Sequence, residues 1–468
     1  MSSSQSKGHT RVQWAITILC NMTVFTYGLQ CGWMSPATVL LQSPDSPTGR
    51  PLSASEVSWV ASSASLAGVL GAVIFIKTVD RFGRKMGLLV MTVLQALVWV
   101  MKLLPASTTT LIIARVFSGM AGAGCFHVVP MYVKEIAQDS IRGSLSTVAA
   151  LAQSIGILIM FLMGGFLDYY TVLWIVVSLP IITLGMFLKA PESPSYLVKV
   201  GKIEEATRVL AFLRGLDVED KEIQNEVDTL KRDDDYYKSM PSISMATVFK
   251  TKPWRKAFII MILVILVHAS NGSFSVLNYT ASLLQDSGMQ ISPELQSLSI
   301  PIFMTLGSII TITTIDKLGR KLILGSAFAA TAVAFACMAT SSVLKMYGWT
   351  APAWINVTMM MVLICCYGGA VSPLPFMIMA EIFNFQIRAK LMGYLVMLAW
   401  FVSFIQLVVF SELMSRFGAH VSFYMFVVIN VLATALVVFV LPETKGKNIE
   451  ELEKELTEGR REKCVTTS

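Results

Sequence analysis

Charge is what this chain of 468 residues has least of: Asp, Glu, Lys and Arg make up 14% of it and hydrophobic residues 54%, whereas soluble domains carry roughly 25% charge. A soluble fold of this length would need far more polar surface. Histidine is scarce too, with 4 in all. These are scattered, and no Ser-His-Asp, metal-ligand or phosphate-loop grouping appears, which disfavours an enzyme and gives no ground for a cofactor or a metal. The 7 cysteines are odd in number, and Cys20, Cys31, Cys125, Cys337, Cys365 and Cys366 fall inside apolar stretches. A disulfide framework is not expected, and they read as small packing residues. No leader is visible either: Met1–Thr10 is polar, and no small-residue cleavage site follows the first apolar stretch, which is expected to remain as a helix.

Long hydrophobic runs are plentiful. About twelve blocks start near Trp14, Val57, Met86, Thr110, Leu145, Thr171, Arg255, Leu295, Leu322, Pro352, Leu391 and Val421, each close to the roughly 20 residues that cross a bilayer. They are continuously apolar with Gly and Pro inside, as helices in lipid tolerate and barrel strands do not. The expectation is an all-α membrane protein of twelve transmembrane helices, too many for a seven-helix receptor. The net charge of +7 is not spread as a nucleic-acid surface would be. Lys77, Arg81, Arg84, Lys85, Lys134, Arg142, Lys317, Arg320, Lys321, Arg388 and Lys390 follow even-numbered blocks. This positive-inside pattern predicts that both termini are cytosolic.

The chain is written twice. Asp80-Arg-Phe-Gly-Arg-Lys85 recurs about 236 residues on as Asp316-Lys-Leu-Gly-Arg-Lys321, and Glu135 with Arg142 recurs about 246 residues on as Glu381 with Arg388. Pro191-Glu192-Ser193 recurs as Pro442-Glu443-Thr444. Each signature follows an even block, so the repeated unit is six helices in parallel orientation. The expected division is a cytosolic segment 1–12, a six-helix bundle 13–190, a cytosolic linker 191–254 with short amphipathic helices, a second bundle 255–441 and a cytosolic tail 442–468. The Glu-rich stretch Asn448–Lys463 is a helix candidate expected to fray.

These motifs, together with Arg115 and Gly119, Pro130 through Gly143, Pro191 through Leu197, Pro373-Leu-Pro375 and Pro442 through Gly446, resemble the sugar porter family of the major facilitator superfamily across essentially the whole chain. Gly32-Trp-Met-Ser-Pro36 resembles the insect facilitated trehalose transporter-like branch. The resemblance implies two six-helix repeats rocking about a site between them, by alternating access. Hexose-binding members usually carry a paired glutamine and then an asparagine in block seven. This chain has His268, Ala269 and Phe274 there, Ala150 in place of a block-five glutamine, Phe376 in place of a tryptophan and Met304 in place of an asparagine. Trp400 is retained.

A sugar presents hydroxyls that donate and accept, and apolar ring faces, so its site wants amides and an aromatic platform. Within the blocks the candidates are Gln30, Gln153, His268, Asn271 and Asn278, with Phe376 and Trp400 as platforms. Polar groups at that depth are expensive and usually face a cavity, although interhelical hydrogen bonding is the simpler alternative. Trp59, Trp99, Trp174 and Trp354 read as interface anchors. The resemblance also implies a cytosolic salt-bridge latch of Asp80, Arg84, Arg115, Glu135, Arg142, Glu192, Asp316, Arg320, Glu381, Arg388 and Glu443, with Ser195 where the family often has an arginine. The expected activity is facilitative transport of a neutral sugar, trehalose or a hexose, at the plasma membrane and with no obligate protein partner. A non-transporting nutrient sensor on the same scaffold, or a carrier of another neutral solute such as a polyol, stays open.

Overall fold

A computed structural model of the protein describes residues 10–138, 141–239, 244–285, 298–349, 352–447 and 449–458. Two compact units divide it: Met1–Trp33 with Leu66–Pro241, and Met34–Ser65 with Ser242–Ser468.

The first half of the chain runs through α1 (Arg11–Leu41), α2 (Ala54–Phe82), α3 (Arg84–Leu103), α4 (Thr108–Ile136), α5 (Arg142–Phe166) and α6 (Tyr169–Phe187). Pro36, Pro130 and Pro180 sit inside α1, α4 and α6. Such breaks are tolerated where neighbouring helices re-satisfy the freed backbone groups. α1 and α5 touch backbone to backbone: a Cβ on Gly28 would collide with the Gln153 carbonyl, and one on Gly156 with the Phe25 carbonyl. Small residues permit this approach.

The polar linker forms α7 (Pro194–Lys199), α8 (Ile203–Arg214) and α9 (Lys221–Ser239). Their apolar faces close on one another through Leu197, Ala206, Leu210, Ile223 and Val227. Arg214 fastens them to the bundle by donating to the Ile136 carbonyl at the end of α4 (2.8 Å) while pairing with Glu226 (2.5 Å). Gln13, in the first turn of α1, donates to the Leu213 carbonyl (3.2 Å) and accepts from the Gln138 N–H (2.9 Å).

The second half comprises α10 (Met245–Lys250), α11 (Lys252–Ser270), α12 (Ser273–Asn278), α13 (Thr280–Gln285), α14 (Ser299–Leu318), α15 (Arg320–Met346), α16 (Ala353–Cys366), a π turn at Tyr367–Val371, α17 (Leu374–Ile382), α18 (Phe385–Phe417), α19 (Ala419–Phe439) and α20 (Ile449–Glu458). With Lys252–Asn278 and Trp354–Ile382 counted as one each, 11 segments among the described residues are long and apolar enough to cross a membrane. A shorter apolar stretch, Ser299–Ile315, stands at the remaining block, cut off by Asp316 and Lys317.

The described part of the tail forms the helix α20, which packs against its own half. Leu452 and Leu456, one turn apart on the same face, are buried, and Trp254 Nε1 donates to Glu453 Oε1 (2.8 Å). Two leucines on a charged helix suffice to give it an apolar stripe. Residues 459–463 of the expected tail helix lie outside the described residues.

Candidate functional site

In the first half, Gln30 on α1 is fully buried. Its Oε1 accepts from Ser118 Oγ (2.8 Å), and its backbone carbonyl accepts from Arg115 Nη1 (3.4 Å). Gln153 on α5 is half-buried, held against α1 by the Gly28 crossing.

The other candidates lie around two irregular segments of the second half. Block seven breaks at Asn271-Gly272, where Gly272 takes a φ of 92°. Asn271 mends the break: its Nδ2 donates to the His268 carbonyl and its Oδ1 accepts from the Ser273 N–H (2.8 Å). Asn430 on α19 donates to the Asn271 carbonyl (2.9 Å). Asn278 Nδ2 bonds back to the Phe274 carbonyl (2.8 Å). Both amides thus bond backbone groups of their own segment.

The second irregularity is the π turn. Ser372 N–H donates to the Tyr367 carbonyl (2.9 Å), which releases the Gly368 carbonyl to Ser308 Oγ (3.0 Å). The Val371 carbonyl would bond four residues on, to Pro375, which has no N–H. His268 Nδ1 takes it instead at 2.8 Å. Since a carbonyl only accepts, Nδ1 carries a proton. Phe376 meets the His268 ring edge-to-face, 5.4 Å between centroids. His268, Phe376 and Trp400 are all half-buried. His268 and Phe376 therefore form one unit, and Trp400 stands on α18.

Gln406, which sequence reasoning passed over, is buried on α18 and donates to Ser275 Oγ on α12 (2.7 Å). The signal was there, an amide inside an apolar block, as for Gln153.

The charged motifs build the same device twice. α3 begins at Arg84 without a side-chain cap of its own. The Glu192 carboxylate supplies one, accepting from the N–H groups of Arg84 (2.9 Å) and Lys85 (3.1 Å), where a helix N-terminus favours an anion. Gly83 has a φ of 94°, and a Cβ there would collide with that carboxylate. Arg84 grips Glu135 with Nε to Oε2 and Nη2 to Oε1, each 2.8 Å, and Ser193 Oγ donates to Glu135. Burial pushes the Glu192 carboxyl above the usual glutamate range, while the N–H groups of Ser193, Lys85 and Arg84 pull the other way. In the second half Glu443 caps Arg320 (3.1 Å) and Lys321 (3.0 Å) across Gly319, Arg320 pairs with Glu381 (3.1 Å) and Thr444 donates to Glu381.

Each described ion pair of these two clusters closes within one unit. Asp80 makes an exposed pair with Lys199 (3.5 Å). Arg388 donates to the Phe383 carbonyl (3.1 Å), which ends α17. The side chains of Arg142 and Asp316 lie outside the described residues.

Two expectations are corrected. Arg115 is not a member of the charge clusters: it lies in the second turn of α4 and Glu135 in the last, about 30 Å apart at 1.5 Å per residue. It donates to the Gln30 carbonyl. Trp99 is no interface anchor, being fully buried, whereas Trp59, Trp174 and Trp354 are exposed.

The fold recurs in solved structures. The xylose transporter XylE of E. coli, in a partially occluded inward-open conformation, superposes with a TM-score of 0.78 at 19% identity, over 94% of this chain and 100% of that one. The proton:xylose symporter XylE bound to 6-bromo-6-deoxy-D-glucose gives 0.73 at 21% identity, over 95% and 99%. The chain shares the fold of these major facilitator structures. Residues 14–456 match the family described as Sugar (and other) transporter, and the chain belongs to that family. It is 25% identical to the facilitated trehalose transporter Tret1 of Bombyx mori, over 93% of this chain and 85% of that one. Identity to the Aedes aegypti protein of the same name is also 25%, over 92% of this chain and 53% of that one, so the chain spans about half of that relative's length.

Proposed function

We propose that this protein is a facilitative uniporter of a neutral sugar, trehalose or a hexose, which works by alternating access and performs no chemistry on its cargo. Membership of the sugar transporter family supports the substrate class, and the names of the Tret1 relatives support trehalose as the first sugar to try. The observation that carries passive rather than proton-coupled transport is Gln30. Proton-driven porters resembling this chain have an aspartate there, and an amide cannot release a proton. Basic loops on one side support cytosolic termini, and the plasma membrane is the proposed location.

The helix-end clusters, in this reading, lie at the cytosolic face and hold each half's helix ends together.

The decisive experiment is counterflow of labelled trehalose and hexoses in proteoliposomes, with and without a protonophore at constant external pH. Counterflow that survives the protonophore is expected; uptake that collapses with it would exclude a uniporter. The replaced block-seven positions, His268, Ala269 and Phe274, favour a second reading, a sensor that has lost transport. Such a protein would bind sugar and show no counterflow.

A further inference from the structure

Three helices of the first half each present a pair of residues three apart, hence on one face: Gln30 and Trp33 on α1, Trp99 and Lys102 on α3, Arg115 and Ser118 on α4. The contacts join them. Lys102 Nζ lies 3.4 Å from the ring centroid of Trp33 and 4.4 Å from that of Trp99. Ser118 and Arg115 both bond Gln30. Lys102, Trp99 and Gln30 are each 1% exposed or less.

Lys102 makes no ion pair among the described residues, and three of the buried polar atoms have no hydrogen-bond partner among them: Lys102 Nζ, Trp99 Nε1 and Gln30 Nε2. All three are donors, and an ammonium and an indole N–H cannot accept. Of the unpartnered side-chain acceptors of the same helices, Asn21 Oδ1 and Thr17 Oγ1 lie about 10 Å or more from Gln30 along α1, and Gln95 Oε1 lies about 10 Å from Lys102 along α3 and about 6 Å from Trp99, at 1.5 Å per residue. Two indole faces attract the ammonium, but they neither restore neutrality nor accept from Trp99 or Gln30. A neutral hydroxyl would bring a further O–H into a group already short of acceptors, whereas an anion accepts only.

We propose that Lys102, Trp99 Nε1 and Gln30 Nε2 form a binding site for a monovalent anion, either chloride or the carboxylate of an acidic sugar. It stands at the end of the bundle opposite the Arg84 cluster, since α3 runs from Arg84 to Leu103. Leu104 and Pro105, beyond the last turn of α3, are exposed, so the path to solvent is short. The inference does not depend on the cargo being a neutral sugar, and its test reads no transport.

The test is the melting temperature of the purified full-length protein, with sodium chloride or sodium glucuronate titrated against the bulky sulfonate isethionate at constant ionic strength. A saturable rise is expected in wild type and in Lys102→Arg, which keeps the charge, and none in Lys102→Met. A response to chloride identifies an inorganic ion, and one to glucuronate alone a carboxylated sugar. Trp99→Phe keeps the ring and removes one donor, so its half-saturating concentration should rise roughly two- to tenfold, the range of one neutral hydrogen bond. A flat wild-type response to both salts, or an unaltered response in Lys102→Met, overturns the site. Should Lys102→Met not fold, an unchanged half-saturating concentration in Trp99→Phe does so instead.

Discussion

His268 and Pro375 explain each other at the level of single atoms. Proline leaves the Val371 carbonyl without its helical donor, and the imidazole N–H fills the place. Removing the ring in His268→Ala should strand a buried acceptor, at about 1–3 kcal/mol, seen as a lower melting temperature that His268→Gln partly restores. Equal stability of His268→Ala and wild type would show that the carbonyl finds another donor. On the proposed transport function, Gln153→Ala and Trp400→Ala should each weaken uptake without loss of surface expression. Normal kinetics in both would remove these side chains from the site. The residues worth testing were legible because an amide or an imidazole is conspicuous in an apolar block. What each amide does was not: Asn271 mends a helix break whose place depends on the left-handed Gly272, which no periodicity announces.

The element most open to test is the start of α3. Glu192 has a carboxyl whose affinity for protons is higher in the folded protein than in the unfolded chain, owing first to burial. Between the ordinary value of 4.5 and the raised one, the folded state holds more protons than the unfolded, so stability falls as pH rises through that window. Glu192→Gln cannot titrate and should flatten this part of the stability curve, read by thermal melts from acid toward neutral pH. A wild-type curve with no such fall, or the same fall in the variant, would assign the titration elsewhere. Recurrence of the motifs pointed to matched clusters, but not to their inner geometry. Glu192 reaches α3 across 108 residues, a separation that says nothing of which N–H groups a carboxylate will meet. Arg115 shows the opposite failure: its burial was readable, but its direction along α4 was set against the wrong end.

For the whole molecule, block counting anticipated the helical bundle well. The apolar runs mark the 11 long segments and the shorter Ser299–Ile315, because a bilayer demands length and continuity that few other structures need. What it missed is local irregularity, such as the π turn and the divided block seven, where neighbouring chains decide the hydrogen bonding. The same limit hid the docking of α20, which needs only Leu452, Leu456 and Trp254 to agree in space.

The doubled Glu-capped cluster has a thermodynamic corollary. Among the described residues, Arg84 pairs with Glu135 in one half and Arg320 with Glu381 in the other. Perturbations at sites with no shared partners usually sum to within about 0.3–0.5 kcal/mol. A double-mutant cycle across Glu135→Gln and Glu381→Gln, followed by chemical denaturation, should therefore give a coupling term near zero, although either substitution paired with its own arginine partner should not. A large coupling across the halves would mean that the two copies work as one unit, and that a lesion in either is felt by both.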